Sequence, residues 1–536
     1  MPRQLSLGPA DVPGSFATTN VRSEAAVVNM RVDVVASPLR YRRAPLFLLV
    51  GLAIVPAVGL LVGQRWLDAE ADRYDNSRAA VAELEEGGNS DPIDSSARSI
   101  AAAAQRAVLG TSLLDYRRMP EPVADVANAD RLAENIEPLF GFLNQTSCFA
   151  VSANGADVTT YQGQLPVVPA STLKLVVAAV AIEVLGPDYT FKTTVRIPPV
   201  VDGVIDGDVF IVGGGDPLLT ADDYPIENDL FPAFNTTSLD VLADAFVANG
   251  VERINGTVIG DGSRYDDEFV VEAWGNGVAF NNAGPYGALL VNDSRLRDRS
   301  GVQDDPNIAA ARELARLLSS RGVRVNNGWA SGRASTLAEV IGTVTSAPLG
   351  DIVHEMLINS DNNTAEMLLK ELGVADSGQG TRVAGLGVID RTLAEWGIPL
   401  DGVQVLDGSG LHPQNAFTCQ AMLQVLQRVR GSVVATGLPI AGETGTLRGE
   451  FLLSPLVGKL FAKTGALGNP PVDEPPLASK ALAGYVDADD GSILEFVLIL
   501  NDNEIADETY LSLWQVFVER FDSYPAGPDT AELAPR

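Results

Sequence analysis

The sequence predicts an α/β chain of the α+β kind, built from more than one folded unit. Apolar residues at helical spacing run directly into a hairpin pattern around Asn154-Gly155. Two apolar strand patterns and an amphipathic helix follow one another near the other end, at 483–486, 494–500 and 510–521. Between these ends strand and helix signals alternate in a chain of 536 residues, more than one hydrophobic core usually supports.

From 44 to 63 no residue carries a charge and almost all are apolar. At ~1.5 Å per residue, a helix of that length crosses a hydrocarbon core of about 30 Å. Arg40, Arg42 and Arg43 precede the run, whereas Asp68, Glu70 and Asp72 follow it. The positive-inside rule therefore puts the N-terminus in the cytoplasm and everything after Gly63 outside. The run is longer than a usual signal core and no small-x-small site follows it, so a retained single-pass membrane anchor is expected. Residues 1–43 read as a cytoplasmic tail, 44–63 as the transmembrane anchor and 64–111 as an acidic stalk around Glu86-Gly87-Gly88-Asn89-Ser90-Asp91-Pro92.

Leu132, Ile136, Leu139, Phe140 and Leu143 then recur at helical spacing, and 148–151 with 158–161 read as the two strands of the hairpin. A helix starts near Pro169, where a fixed φ suits the first turn, and runs to 185. After it, short strands such as 209–212 alternate with helices such as 238–248 and 308–318. Helices resume at 351–358, 363–372 and 384–396, and residues 523–536 read as a disordered tail.

A net charge of -31 repels phosphate backbones and anionic headgroups, so nucleic-acid binding is excluded and polybasic membrane docking with it. Cys148 and Cys419 are the only cysteines, and His354 and His412 the only histidines. That supply rules out zinc-ribbon spacings, iron–sulfur ligation and a His-Glu-x-x-His peptidase, so no metal and no cofactor is expected. Hydrolysis must run on other groups.

Lysine is scarce, six residues against 32 arginines, which makes any lysine motif informative. Ser171-Thr172-Leu173-Lys174 puts a hydroxyl and an amine at i and i+3, on one face of a helical turn. A serine is a weak nucleophile until a base takes its proton, and a lysine neutralised by burial can be that base. Ser360-Asp361-Asn362 falls between two predicted helices, where its side chains can turn into a cleft. Lys463-Thr464-Gly465 follows a strand-like run and offers a cation and a hydroxyl to a carboxylate. Each tripeptide alone is common, as Ser152-Ala153-Asn154 illustrates. In this order, with two of the six lysines used, chance is a minor explanation.

The ordered set resembles the active site of the penicillin-binding proteins and serine β-lactamases. Ser171 and Ser360 lie 189 positions apart, which implies a large inserted domain and a closer resemblance to the class C low-molecular-mass penicillin-binding proteins, the D-alanyl-D-alanine carboxypeptidase/endopeptidases. Gly213-Gly214-Gly215-Asp216-Pro217, Val291-Asn292-Asp293-Ser294, Asp407-Gly408-Ser409-Gly410-Leu411 and Gly445-Thr446-Leu447 extend it over roughly 112–522. The resemblance implies a transpeptidase/β-lactamase-like domain split into 112–190 and 346–522, with an antiparallel five-stranded sheet between helices, and an insert at 191–345. It implies that Ser171 is acylated, Lys174 is its base, Ser360 relays a proton to the leaving amine and Asn362 holds the substrate amide. Lys463 and Thr464 would bind a terminal carboxylate, and the N–H groups of Ser171 and Ala466 would form an oxyanion hole. The implied partners are peptidoglycan stem peptides as substrate and β-lactams as covalent inhibitors. Two departures stand out: Ala466 replaces the usual Ser or Thr, and His412-Pro413 the usual Ser-Arg.

A serine β-lactamase-like hydrolase would use the same acylation groups. A catalytically silent wall-binding scaffold would have no need of Ser171, Lys174, Ser360, Asn362 and Lys463 together. The exterior location also allows a Cys148–Cys419 disulfide joining the two halves of the split domain; two separate buried thiols are the alternative.

Overall fold

The computed structural model describes residues 120–225, 232–275, 278–295, 301–468 and 477–527. The apolar run at 44–63 and the acidic stretch after it lie outside the described residues. Among the described residues no helix is long and apolar enough to cross a membrane.

Helix α1 (Pro120–Ile136) leads through a 3₁₀ turn to the hairpin strands β1 (Cys148–Ala153) and β2 (Ala156–Tyr161). A 3₁₀ turn over Ala170–Leu173 then feeds α2 (Lys174–Leu185). Helix α2 is apolar on all sides and Lys174 to Ala181 are all buried, as a helix without a polar face must be in a folded protein.

An additional domain follows. Strands β3 (Lys192–Ile197) and β4 (Val209–Val212), helix α3 (Asp240–Ala248), strand β5 (Val258–Asp261), helix α4 (Pro306–Ser320), and strands β6 (Trp329–Ser331) and β7 (Glu339–Thr345) build it. Its main sheet runs β6-β5-β4-β3-β7, parallel from β6 to β4 and antiparallel from there to β7. Its core is its own, with Val195, Ile211, Leu242, Phe246, Leu314 and Leu318 among its members.

The chain returns through α5 (Leu349–Asn359), α6 (Asn362–Ser377), α7 (Arg382–Glu395) and α8 (Cys419–Val429). It ends with β8 (Leu460–Leu467), β9 (Ala478–Asp487), β10 (Ile493–Asp502) and α9 (Asp507–Phe521). The first and last strands pair, giving an antiparallel five-stranded sheet in the order β8-β9-β10-β1-β2. Period-2 alternation divides each central strand between two cores. Cys148, Ala150, Val497 and Ile499 face α2 and its neighbours, whereas Phe149, Val151, Phe496 and Leu498 face α1 and α9. The sheet is thus buried on both faces, between helices.

Of the two states open to the cysteines, the disulfide is the one formed: Cys148 on β1 and Cys419 at the start of α8 are bonded within the core, their Cα atoms 5.9 Å apart. The disordered tail expected from 523 is a correction at its near end. Tyr524 is buried in the core beside α9, and the Gly527 N–H donates to Asn128 Oδ1 on α1. The aromatic area buried by Tyr524 is what holds the segment down.

The additional domain is bolted to α6 and α7. Glu371 of α6 accepts from Arg264 Nε at 2.9 Å and from the Tyr265 and Tyr189 hydroxyls at 2.8 and 2.5 Å. Lys370 donates to Asp266 at 2.6 Å, and Arg382 reaches Glu268 through two bonds. Those charge-assisted bonds clamp the insert to the second half of α6 and the start of α7, and the Gly284 N–H, donating to Asn363 Oδ1 at 2.7 Å, holds it over the N-terminal end of α6, where the site lies.

Candidate active site

Ser171 lies in the 3₁₀ turn and Lys174 is the first residue of α2. In a 3₁₀ turn side chains at i and i+3 eclipse, so the spacing seen in the sequence sets Lys174 Nζ directly against Ser171 Oγ, at 2.9 Å. Lys174 is fully buried and also donates to Asn362 Oδ1 at 2.7 Å and to the Ser409 carbonyl at 2.6 Å. Burial pushes the Lys174 ammonium down to about 8, against the opposing pull of Asp407, Asp361 and Glu366. A neutral amine keeps two N–H donors, enough for Asn362 and Ser409, and turns its lone pair to the Ser171 hydroxyl.

Ser360 ends α5 in the left-handed region, at φ 56°, and Asp361 caps α6 by accepting from the Thr364 N–H at 2.6 Å. Left-handed backbone at a non-glycine residue carries strain, and here it swings the Ser360 hydroxyl into the cleft, 2.8 Å from Lys463 Nζ. Asn362 opens α6, and its Nδ2 donates to the Asn282 carbonyl of the additional domain at 2.7 Å.

Lys463 stands on β8, the edge strand, with its amine buried and bonded to Ser360 Oγ and the Thr464 carbonyl, each at 2.8 Å. Burial and the nearby Lys174 hold it well below the usual lysine range. Among the described residues no carboxylate pairs with it, so an anionic group entering the cleft would supply the missing partner. Thr464 Oγ1 is bonded to Thr446 Oγ1 at 2.8 Å. The Ala462 N–H leaves the sheet to reach the Pro439 carbonyl. Backbone groups alternate sides along a strand, so the N–H of Ala466 also points outward, away from β9. Gly465 lies against the nucleophile's turn: a Cβ there would sit 3.2 Å from the Ser171 nitrogen. The seven residues singled out from the sequence therefore converge on one cleft between the sheet and the α2–α6 helices.

Behind the cleft is a buried turn whose role the sequence leaves unread. Asp407 accepts from the N–H groups of Gly410 and His412 at 3.0 and 2.6 Å, from Asn415 Nδ2 at 2.7 Å and from Trp274 Nε1 of the additional domain at 2.8 Å. Glu366 Oε1 accepts from the N–H groups of Gly408 and Ser409 at 3.0 and 2.7 Å. Its carboxyl is raised to about 7 by burial, with Asp407 adding to the rise. His412 is a packing residue of this turn: its Nδ1 accepts from the Gln414 N–H at 3.1 Å, and burial lowers its pKa. The Asp-Gly-Ser-Gly tetrapeptide is visible in the sequence, but Trp274, Asn282 and Glu366 carry no signal of their own. Glu366 and Lys370, at i and i+4 on a helix, look like a solvated ion pair and are both buried. Among the described residues no group of three or more His, Cys, Asp or Glu side chains is arranged to hold a metal.

The family model described as "D-Ala-D-Ala carboxypeptidase 3 (S13) family" matches residues 144–299 and 287–513. A D-alanyl-D-alanine carboxypeptidase of Actinomadura sp. (strain R39) is 26% identical over 435 residues, covering 65% of this chain and 76% of the relative. Carboxypeptidase DacB of Mycolicibacterium smegmatis is 28% identical over 365 residues, covering 65% of this chain and 74% of its own length. In fold, the chain is similar to the solved penicillin binding protein 4 of Haemophilus influenzae, with a TM-score of 0.61 at 21% identity, over 73% of this chain and 100% of that one. With its family model spanning most of the chain and the nucleophile, amine and cleft in place, the chain belongs to the D-Ala-D-Ala carboxypeptidase 3 (S13) family.

Proposed function

We propose that this serine D-alanyl-D-alanine carboxypeptidase and endopeptidase works on peptidoglycan stem peptides through an acyl-enzyme at Ser171. The observation that carries the mechanism is the fully buried Lys174 amine 2.9 Å from Ser171 Oγ. Lys174 takes the hydroxyl proton as Oγ bonds to the carbonyl carbon of the penultimate D-alanine. The N–H groups of Ser171 and Ala466 receive the developing oxyanion. As the peptide C–N bond breaks, Ser360 gives its proton to the departing amine and takes up the one held by Lys174, which leaves Lys174 neutral for the next step. Lys463, bonded to the same hydroxyl, holds that relay in place and, with Thr464, binds the terminal carboxylate. Asn362 orients both Lys174 and the substrate amide. Water then attacks the ester, its proton returning through Lys174, and Ser171 is regenerated. β-Lactams mimic the terminal dipeptide and stop at the ester, which is the penicillin-binding property.

Carboxypeptidase and endopeptidase action share all of these steps and differ only in what lies beyond the scissile bond. Mass spectrometry of purified muropeptides tests the activity: pentapeptide stems lose the terminal D-alanine or cross-links are cut, and Ser171→Ala does neither. Products from the alanine variant at the wild-type rate would remove Ser171 from the mechanism.

The catalytic region acts outside the cell, held by the 44–63 span. Supporting this are the arginines before the run, the acids after it and a substrate found only in the wall. Protease added to spheroplasts should cut after Gly63 and leave residues before Pro45 intact; the opposite pattern would reverse the orientation.

A further inference from the structure

The acylation steps leave the buried Glu366 without a part. It lies four residues after Asn362 on α6, and i and i+4 on a helix share a face, here the face turned to Lys174. Its Oε1 grips two consecutive backbone N–H groups, those of Gly408 at 3.0 Å and Ser409 at 2.7 Å. The residue so held offers its own carbonyl to Lys174 Nζ at 2.6 Å. On its far side the same turn hangs from Asp407 through Gly410 and His412. A neutral Lys174 has two N–H donors, and only if both are engaged by fixed acceptors is the lone pair left aimed at Ser171. Asn362 Oδ1 is one of those acceptors and the Ser409 carbonyl the other.

We propose that Glu366 is a positioning residue for acylation: by gripping the 408–409 backbone it holds the Ser409 carbonyl against Lys174 and so aims the amine's lone pair at the Ser171 hydroxyl. This rests on the acyl-enzyme mechanism above.

Reach and charge can be separated. Among the described residues Glu366 Oε2 has no partner at hydrogen-bond distance, so Glu366→Gln keeps the gripping oxygen Oε1 and removes the charge. Glu366→Asp keeps the charge and draws the oxygens back by one methylene. The groups that feel the Glu366 charge are Lys174 on α2, Asp407 in the turn, Tyr286 of the additional domain and Arg382 on α7. An ionised Glu366 raises Lys174, so its removal favours the neutral amine.

The test is stopped-flow acylation of the full chain by fluorescent penicillin, separating the limiting rate from the half-saturating concentration. Glu366→Asp should lower the limiting rate roughly 10- to 100-fold, the cost of a misplaced reacting group, and move the half-saturating concentration by less than about threefold. Glu366→Gln should stay within about threefold of wild type, since a neutral acceptor still makes both bonds, and its rate should begin to rise at lower pH. That shift of the acid limb is a change that a purely structural residue would not produce. Wild-type rates in Glu366→Asp, or a Glu366→Gln as slow as Glu366→Asp, overturn the proposal. If Glu366→Asp does not fold, Glu366→Gln decides alone: a folded variant at the wild-type rate with the shifted limb supports it, and a tenfold loss overturns it. A wild-type chain that takes no label would refute the acyl-enzyme mechanism, whereas a labelled wild type with indifferent variants refutes only the role of Glu366.

Discussion

Lys174 has to be both a cation-sized side chain in a dry site and a base at neutral pH, and burial reconciles the two. With its pKa lowered to about 8, roughly a tenth of the amine is neutral at pH 7, enough to serve as a general base. The sign follows: acylation by penicillin should rise about tenfold per pH unit below 8 and level off above it. A flat profile between pH 6 and 9 would exclude Lys174 as the titrating base. Lys174→Ala should slow acylation by about 10²- to 10⁴-fold, from loss of the base, with further loss of positioning. Labelling kinetics of a variant shown to be folded by circular dichroism checks this. Lys463 is lowered by the same burial and by Lys174, and a carboxylate entering beside it would favour its protonated form.

Among the elements, the turn around Gly410 and the 3₁₀ turn of Ser171 touch so closely that a side chain cannot enter. Gly410 has φ 86°, and a Cβ on it would lie 1.9 Å from the Ala170 carbonyl oxygen. Gly410→Ala should therefore destabilise the fold by at least about 1–3 kcal/mol from backbone strain alone, and separate Ser171 from the Ser409 carbonyl that steadies its base. Gly449 is the control: nothing lies within 4 Å of a Cβ there, and its φ is not in the left-handed range. Gly449→Ala should leave stability unchanged or raise it by about 0.4–1 kcal/mol. Denaturant unfolding of both variants decides. Equal midpoints for the two would mean that the Gly410 contact relaxes freely. Edge strand β8 makes the complementary contribution, because beyond the Ala462–Pro439 bond its outer side turns the N–H of Ala466 outward and lets the Thr464 carbonyl accept from Lys463 Nζ.

For the whole molecule, the catalytic sheet pairs the first strands of the described chain with the last, and the Cys148–Cys419 bond crosses the same join over 271 residues of sequence. Closing so long a loop should stabilise by about 5 kcal/mol at most on the chain-entropy account. The double variant Cys148→Ala, Cys419→Ala should lower the melting temperature in calorimetry, and the denatured, unreduced wild type should show no titratable thiol. Two free thiols per chain would eliminate the bridge. The additional domain belongs to the site as well, because Trp274 holds Asp407 and the Asn282 carbonyl holds Asn362.

What the sequence determined by itself is what depends on neighbours along the chain. The eclipsed Ser171 and Lys174, the hairpin turn at Asn154-Gly155 and the alternating apolar strands follow from local dihedral preferences and from a periodicity that a sequence displays directly. The ordered lysine motifs also carried the family and, through it, the five-stranded sheet. Which distant groups meet was decided only in the tertiary structure. Ser360 approaches Lys463 from 103 positions away, Glu366 leaves a solvated-looking helix pattern for a buried turn, and two residues of the additional domain close the back of the cleft. The physical reason is that an acidic side chain reads the same whether water or a backbone N–H will satisfy it. Packing makes that choice, by burying the carboxylate against the 408–409 amides.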